Sequence, residues 1–477
     1  MTETLQYAGE FVVEHATIIT SENVEIDIRK LLLSLDLYED IYTPAISGVL
    51  MIKDPVAMQS TAPLIGQEYL QLKIKTPSKT DVEVFNFVED VFSLVGLTNK
   101  TNVNGEQVYT MNMITYEQMK NSRTRVNRVL EGTYSDMVKT LMRDDLKSQK
   151  NLHIEPTAGS EKIIPSNLKP IDLIAQFSQE SISTENNSPT YLFYETAKGY
   201  HFRSLESMYA QEPKFTYTER GNLNRVDGKE QVLEELNTMQ QFQVSIGTDT
   251  LRSTRDGVYG STLITHDIFN KRIDKYTYNY HDNFKNEKHI NHFSEVDDNP
   301  MFSATPLDEN KSRVSDFPVK TFVVPVTTTS DRIYDSTKQQ KDTGNFNYSP
   351  KNPQEYIQKR RSRIRQIQDG FSIKIKVKGN TSLNVGDVVN SNLDINAVFD
   401  GELYGKGLDR FYQGKFLVKT IKHTFDFAEQ VHTSLVSIVK DSVGKQKLKT
   451  IDTMKEPRPL KTGKLVTSFY EKGGPQT

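Results

Sequence analysis

Four residues come nearest to reactive chemistry in this chain: His289 and His292 in the run His289-Ile290-Asn291-His292, with His281 and Asp282 upstream. A bound zinc needs three or four ligands converging on a fixed frame. Here the ligand types lie in a polar segment with no helical spacing to fix them, so they are expected to be solvated side chains on an arm. Carboxylate pairs occur at Asp144-Asp145, Glu234-Glu235 and Asp297-Asp298. Glycoside chemistry needs two carboxyls facing each other across a cleft, and adjacent residues do not provide that. The phosphate-cradling P-loop and the Gly-x-Ser-x-Gly nucleophile elbow are absent from the sequence. Gly405-Lys406-Gly407 lacks the third glycine of a dinucleotide fingerprint and reads as a turn. The densest basic run, Lys359-Arg360-Arg361-Ser362-Arg363-Ile364-Arg365, could meet phosphate. With Tyr356, Ile357, Ile364 and Ile367 at helical spacing beside it, it is expected instead to be a helix docked on protein. No catalytic residue, metal ligand or cofactor site is assigned.

The organised part of the chain is strand. Residues 415–425 alternate apolar and polar, a turn follows at 426–430, and 431–439 form a second β-branched run: a hairpin. A like arrangement sits near the N-terminus, with Phe85–Phe92 followed by Glu106–Glu117. Both second strands open with Glu-Gln-Val-x-Thr, at Glu106, Gln107, Val108 and Thr110 and at Glu429, Gln430, Val431 and Thr433. Upstream, Tyr69–Lys75 and Phe371–Val377 resemble each other loosely. The duplication predicts two similar small antiparallel β domains in one subunit, each a small barrel or sandwich.

Composition bounds the rest. A 477-residue chain suggests two to four domains. With 36% hydrophobic and 25% charged residues, and no apolar run long enough to span a bilayer, a soluble globular protein is expected. The first residues carry neither a basic start nor an apolar core, so no secretory leader is expected. Zero cysteines exclude disulfides and thiolate metal sites. A formal charge of −3 argues against a general nucleic-acid binder.

The expected class is α+β, mainly β. Residues 1–118 read as the first barrel, and 119–240 as an α+β module. In that module Ser135 is the expected cap of one helix, and Pro170 the first-turn residue of another. Tyr191–Tyr194 and Tyr200–Arg203 form its hairpin. Residues 241–284 with 370–441 read as the second barrel. Residues 285–369 read as an inserted arm and amphipathic helix, and 442–477 as a tail. Within the arm, Thr321–Val326 carries a proline and suits an edge strand.

Several motifs together resemble the baseplate hub proteins of contractile-tailed, T4-like bacteriophages, which are related to the hub part of type VI secretion spike proteins. The motifs are Asp36–Gly48 with Ile65-Gly66-Gln67-Glu68, Pro189–Phe202, Gly386-Asp387-Val388-Val389, and Gln413–Val418 completed by His423-Thr424-Phe425 and His432-Thr433. They cover most of the chain outside the arm and tail, and their order is more specific than any one of them. The resemblance implies a homotrimeric ring whose two barrels per subunit present six similar positions to a tail tube or tube-initiator protein, while its other side meets a threefold central spike. It further implies a virion protein assembled in the host cytoplasm, with DNA passing through the bore without specific binding. Baseplate wedge proteins are expected to meet residues 285–369 and 442–477. The two Glu-Gln-Val-x-Thr sets are the expected ring-forming residues. Alternatives are a hub or spike component of a bacterial injection or secretion system, a tail-associated cell-wall hydrolase, and a receptor-binding adhesin.

Overall fold

The computed structural model describes residues from Leu5 to Val443, apart from 56, 59–61, 63, 78–83, 104, 220–228, 247–249, 269–270, 285, 292–298, 301–312, 327–339, 342–346, 349–353, 369, 394–396, 400–401 and 405–411. Period-two patterning builds most of it. In Tyr69–Lys75, for example, Leu70, Leu72 and Ile74 are fully buried, while the residues between them are at least partly exposed. Thirteen strands join in one sheet. They are β1 (Val12–Ile19), β2 (Glu25–Asp27), β3 (Leu32–Asp40), β4 (Ser47–Asp54), β5 (Tyr69–Lys75), β6 (Phe85–Val103) and β7 (Glu106–Thr115). From the later chain come β8 (Thr216–Thr218), β9 (Met239–Ile246), β10 (Phe371–Lys378), β11 (Val388–Asn392), β12 (Gly414–Asp426) and β13 (Val431–Lys440). Their order is β9-β10-β13-β12-β3-β4-β7-β6-β5-β1-β2, with β11 on β12 and β8 on β11.

The mainly β, α+β class is as expected. Closure is not: none of the sheets among the described residues returns on itself, so the two expected barrels are, in hydrogen bonding, two stretches of one open sheet. The cause is β12, whose first half pairs with β11 and whose second half pairs with β3.

The duplication itself is larger than the hairpins. The order β3-β4-β7-β6-β5 is repeated, strand for strand and in the same chain sequence, by β9-β10-β13-β12-β11. Two bulges recur with it. One extra residue, Leu33 or Gln240, interrupts the first pair of each unit. Another, Val95 or Lys419, interrupts each hairpin. Just before that second bulge the same clamp appears twice: the Leu94 N–H donates to the Glu68 carbonyl and the Val418 N–H to the Asp387 carbonyl, both at 2.9 Å.

These marks set Ser93 against Leu417 and Thr110 against Leu435. The five-residue sequence match is therefore two residues out of structural step. Because two residues is one strand period, it keeps the inward parity: Tyr109, Met111 and Met113 face in, as do Ser434, Val436 and Ile438. Upstream, the partner of Phe371–Lys378 is Ser47–Asp54, not Tyr69–Lys75.

Each unit has its own core. A third core belongs to residues 126–202, where the helix α1 (Pro170–Glu180) packs Ile171, Ile174 and Phe177 near the hairpin Tyr191–Thr196/Gly199–Ser204. Pro170 does open that helix. The preceding helix, Tyr134–Thr140, is capped slightly earlier than expected, by Thr133, whose side chain accepts the Asp136 N–H. Gly260–Asp267 pairs with Arg272–Asn279 and, in parallel, with Lys320–Val326, in a separate sheet where the last strand lies at an edge.

Candidate functional site: the duplicated hairpins and their anchors

The expected ring-forming residues fall at the turn ends of the two hairpins. Glu106 opens β7 and pairs with Lys53 of β4. Gln107 and Val108 are half-buried, and Thr110 Oγ1 lies 2.8 Å from Thr98 Oγ1. Glu429 and Gln430 sit in the β12–β13 turn itself. Asp426 Oδ1 accepts the Glu429 N–H at 3.0 Å, and Gln430 takes a left-handed φ of 55°. The Gln430 carbonyl accepts the Tyr7 hydroxyl at 2.8 Å. Val431 and Thr433 lie opposite Asp426 and Thr424. The fold does not bring the two sets together: β12, β3 and β4 stand between β13 and β7.

Where the units meet, β12 runs antiparallel to β3 from Thr420 opposite Asp40 to Asp426 opposite Ser34. Thr424 Oγ1 donates to Asp36 Oδ1 at 2.7 Å, and Lys422 Nζ approaches the other oxygen at 3.0 Å. Inside the seam, His423 and His432 are fully buried with ring nitrogens 3.1 Å apart, and His432 stacks on Phe425. Burial holds the His423 imidazole down to about 3, so it stays neutral through the physiological range. Glu39, also in β3, is buried with Oε2 accepting the Val385 N–H at 3.2 Å. Burial raises its carboxyl to about 8.

Two buried ionic clusters bind the other elements to this sheet. Lys150 Nζ reaches Glu117 and Glu195 at 2.7 Å each. Glu195 in turn accepts the Ile46 N–H at 3.0 Å and the Thr115 hydroxyl at 2.8 Å, so the α+β module is bolted to the first unit. Burial works against the Lys150 charge, yet the two carboxylates keep its affinity for the proton above that of an ordinary lysine. Replacing Lys150 by Met leaves two buried carboxylates without their cation. We expect a loss of about 3 kcal/mol in urea unfolding, the low end for a broken buried pair, because Thr115, Ser148 and the Ile46 N–H still serve the oxygens.

The second cluster lies where the basic run docks. In the helix α2 (Arg360–Gln368), Arg360 Nη1 donates to the Pro189 and Tyr191 carbonyls, and Arg361 Nε to the Asp256 carbonyl. Arg363 is 1% exposed and faces Glu206 and Asp441 at 3.1 Å and Glu287 at 3.4 Å. His289 Nδ1 lies 2.8 Å from Asp441, and its Nε2 donates to the Phe284 carbonyl. The docked-helix expectation is met, whereas His289 corrects the solvated one: it is 3% exposed and part of a structural network. His281 lies in the helix Tyr280–Phe284, while His292, Asp297, Asp298 and Gly405–Gly407 lie outside the described residues. Among the described residues no group of three or more His, Cys, Asp or Glu is placed to hold a metal.

Glu39, Lys150 and Arg363 carry these joints, and the sequence did not single them out as such. Glu39 lies in the Asp36–Gly48 motif and Arg363 in the basic run, while Lys150 lies in no motif, and the partners of all three come from other segments.

No family model matches the chain. It is 22% identical over 397 residues to "Probable baseplate hub protein gp334" of Vibrio phage KVP40, covering 82% of this chain and 85% of that protein. Among solved structures, a tail protein from Neisseria meningitidis MC58 superposes with a TM-score of 0.50 at 11% identity, over 90% of this chain and 96% of the other. The 43 kDa tail protein of prophage MuSo2 from Shewanella oneidensis gives 0.47 at 8% identity, over 89% and 98%. Along most of its length this chain is thus similar to a phage baseplate hub protein, and its fold is like that of the Neisseria protein.

Proposed function

We propose that the protein is a structural hub of a phage tail baseplate, carried in the virion and performing no catalysis. The observation that carries this is the similarity to a baseplate hub protein over more than four-fifths of both chains. The doubled five-strand unit supports the finer reading, a homotrimer in which two units per chain give six similar positions around a bore. A sixfold tail tube then rests on three copies, and the opposite side offers a threefold seat to a central spike. Its mechanism is geometric: it converts one symmetry into the other, and DNA passes through without being gripped. The two Glu-Gln-Val-x-Thr sets lie at equivalent hairpin ends and face the ring. Wedge proteins would dock on residues 442–477 and on the parts of 285–369 outside the docked helix and the His289 network.

The mass of the purified chain in solution, alone and with its spike, tests the ring; three copies are expected, and a monomer under both conditions sinks it. Antibody labelling of intact particles is expected to mark the baseplate. Clearing of a peptidoglycan suspension by the pure protein would instead favour the hydrolase.

A further inference from the structure

The solvent face of the later unit carries unpaired lysines at positions where the earlier unit has none. On β10 the inward residues Ile373, Ile375 and Val377 are buried, which turns Lys374, Lys376 and Lys378 outward in one row. Across the strands the face continues in register. Lys376 lies opposite Leu435 of β13, Leu435 opposite Lys422 of β12, and Lys422 opposite Tyr38 of β3. Leu435 is 47% exposed between the two lysines. Asp36 neutralises Lys422, but among the described residues Lys374, Lys376 and Lys378 have no acidic partner.

The duplication supplies the comparison that separates folding from function here. By the matched bulges, Lys374 and Lys376 stand where β4 has Val49 and Met51, and Lys378 where it has Lys53. Leu435 and Lys422 stand where Thr110 and Thr98 lie. The same backbone is thus built without charge at Val49, Met51, Thr98 and Thr110, and Lys53 is paired with Glu106. The later unit has Val431 in the place of that glutamate. Asp426 is the only acid in its strands, whereas those of the earlier unit include Asp36, Glu39, Asp40, Asp54, Glu89 and Asp90. The sheet does not need these lysines to form.

We propose that this face docks an acidic, amphipathic segment of another protein, whose carboxylates meet Lys374 and Lys376 and whose apolar side seats on Leu435. Charge complementarity sets the sign of the partner: the face offers cations with no acid to satisfy them. Leu435 sets its class. A nucleic-acid backbone would use the lysines alone and leave the leucine against phosphate and water, whereas a protein segment brings apolar surface to the centre and charge to the rim. The inference goes beyond the hub reading and does not depend on three copies forming a ring.

The full-length protein is titrated into a fluorescein-labelled peptide of repeated Glu-Leu-Leu-Glu, and binding is read by anisotropy. Saturable binding that weakens with added salt is expected. Lys374→Gln with Lys376→Gln should weaken it about tenfold. Leu435→Thr, which installs the residue of the equivalent position, should weaken it about fivefold through lost apolar contact. Val49→Gln with Met51→Gln, the matched change on the earlier unit, should leave it unchanged. Urea midpoints equal to the parent's show that each variant is folded. A Glu-Ser-Ser-Glu peptide of the same charge should bind about fivefold more weakly than the leucine peptide. Duplex DNA binding more tightly than the leucine peptide, with Leu435→Thr without effect, would make this a nucleic-acid face and overturn the proposal. No saturable binding of the leucine peptide, or equal losses from changes on either unit, overturns it as well.

Discussion

Arg363→Met is expected to cost the folded chain about 5 kcal/mol, the upper end for removing one partner of a buried ionic group. The guanidinium is the shared cation of Glu206, Glu287 and Asp441, and it also donates to the Lys288 carbonyl at 2.6 Å. Among the described residues Glu287 has no hydrogen-bond partner for either oxygen and depends chiefly on this charge. Burial already pushes its carboxyl up, with Arg363 opposing. Burial would raise Asp441 too, but His289 and Arg363 hold it down to about 2. Its contribution is therefore complete above the ordinary carboxylate value near 3.8 and lost as pH falls through about 2. Without Arg363, three carboxylates from the module, the arm and the end of β13 share one buried space and lose their common cation. Arg363→Lys keeps a point charge but not the fork, and is expected to recover about half of the loss. Adding Glu287→Gln to Arg363→Met should restore about 1–2 kcal/mol by removing the least supported charge. Urea midpoints of the four proteins decide it: a change under about 1 kcal/mol for Arg363→Met would show that water, not the guanidinium, compensates these groups.

The sequence makes local order plain and long-range pairing opaque. Period-two alternation finds β10, β12 and β13 because each strand's inward parity is written in consecutive residues. Pro170 announces its helix for an equally local reason. The joint of β3 with β12 joins residues nearly four hundred positions apart, and no spacing rule encodes it. The same holds for Arg363: helical spacing predicts that its run docks on protein, but not which of the basic residues is buried, because Glu206, Glu287 and Asp441 arrive from three other segments. The five-residue repeat pointed to a true duplication by way of an inexact alignment. What the two units share is bulge positions and strand order, and backbone features of this kind tolerate nearly complete exchange of side chains. Leu33 and Gln240 occupy the same bulge with opposite chemistry.

Glu39 makes the joint between the units sensitive to alkaline rather than acid conditions. Its carboxyl lies in β3 opposite Ile421, 3% exposed, and burial raises it to about 8; Asp387 and Glu195 push it further the same way, while the Val385 N–H opposes them. A folded-state value above the unfolded one of 4.5 means that the folded chain holds the proton more tightly. The stabilisation is then complete below about 4.5, declines as pH rises, and is gone once pH passes about 8. Between pH near 5 and pH near 8.5 the linkage amounts to about 4 kcal/mol, at roughly 1.4 kcal/mol for each pH unit inside the window. Glu39→Gln removes the titration while keeping a polar group for the Val385 N–H. The amide fits the site less well than the neutral acid, so it should fall short of the parent by about 1 kcal/mol at pH near 5. At pH near 8.5 it should exceed the parent by about 3 kcal/mol. Glu195 and Glu287 are also raised by burial, so the parent's own pH slope mixes several groups, and only the difference between the two proteins isolates Glu39. Parallel stability curves from pH 5 to 8.5 would mean that the carboxyl ionises in place, stabilised by its N–H donor. Curves that cross would identify a protonated acid at the seam where one unit of the sheet becomes the next.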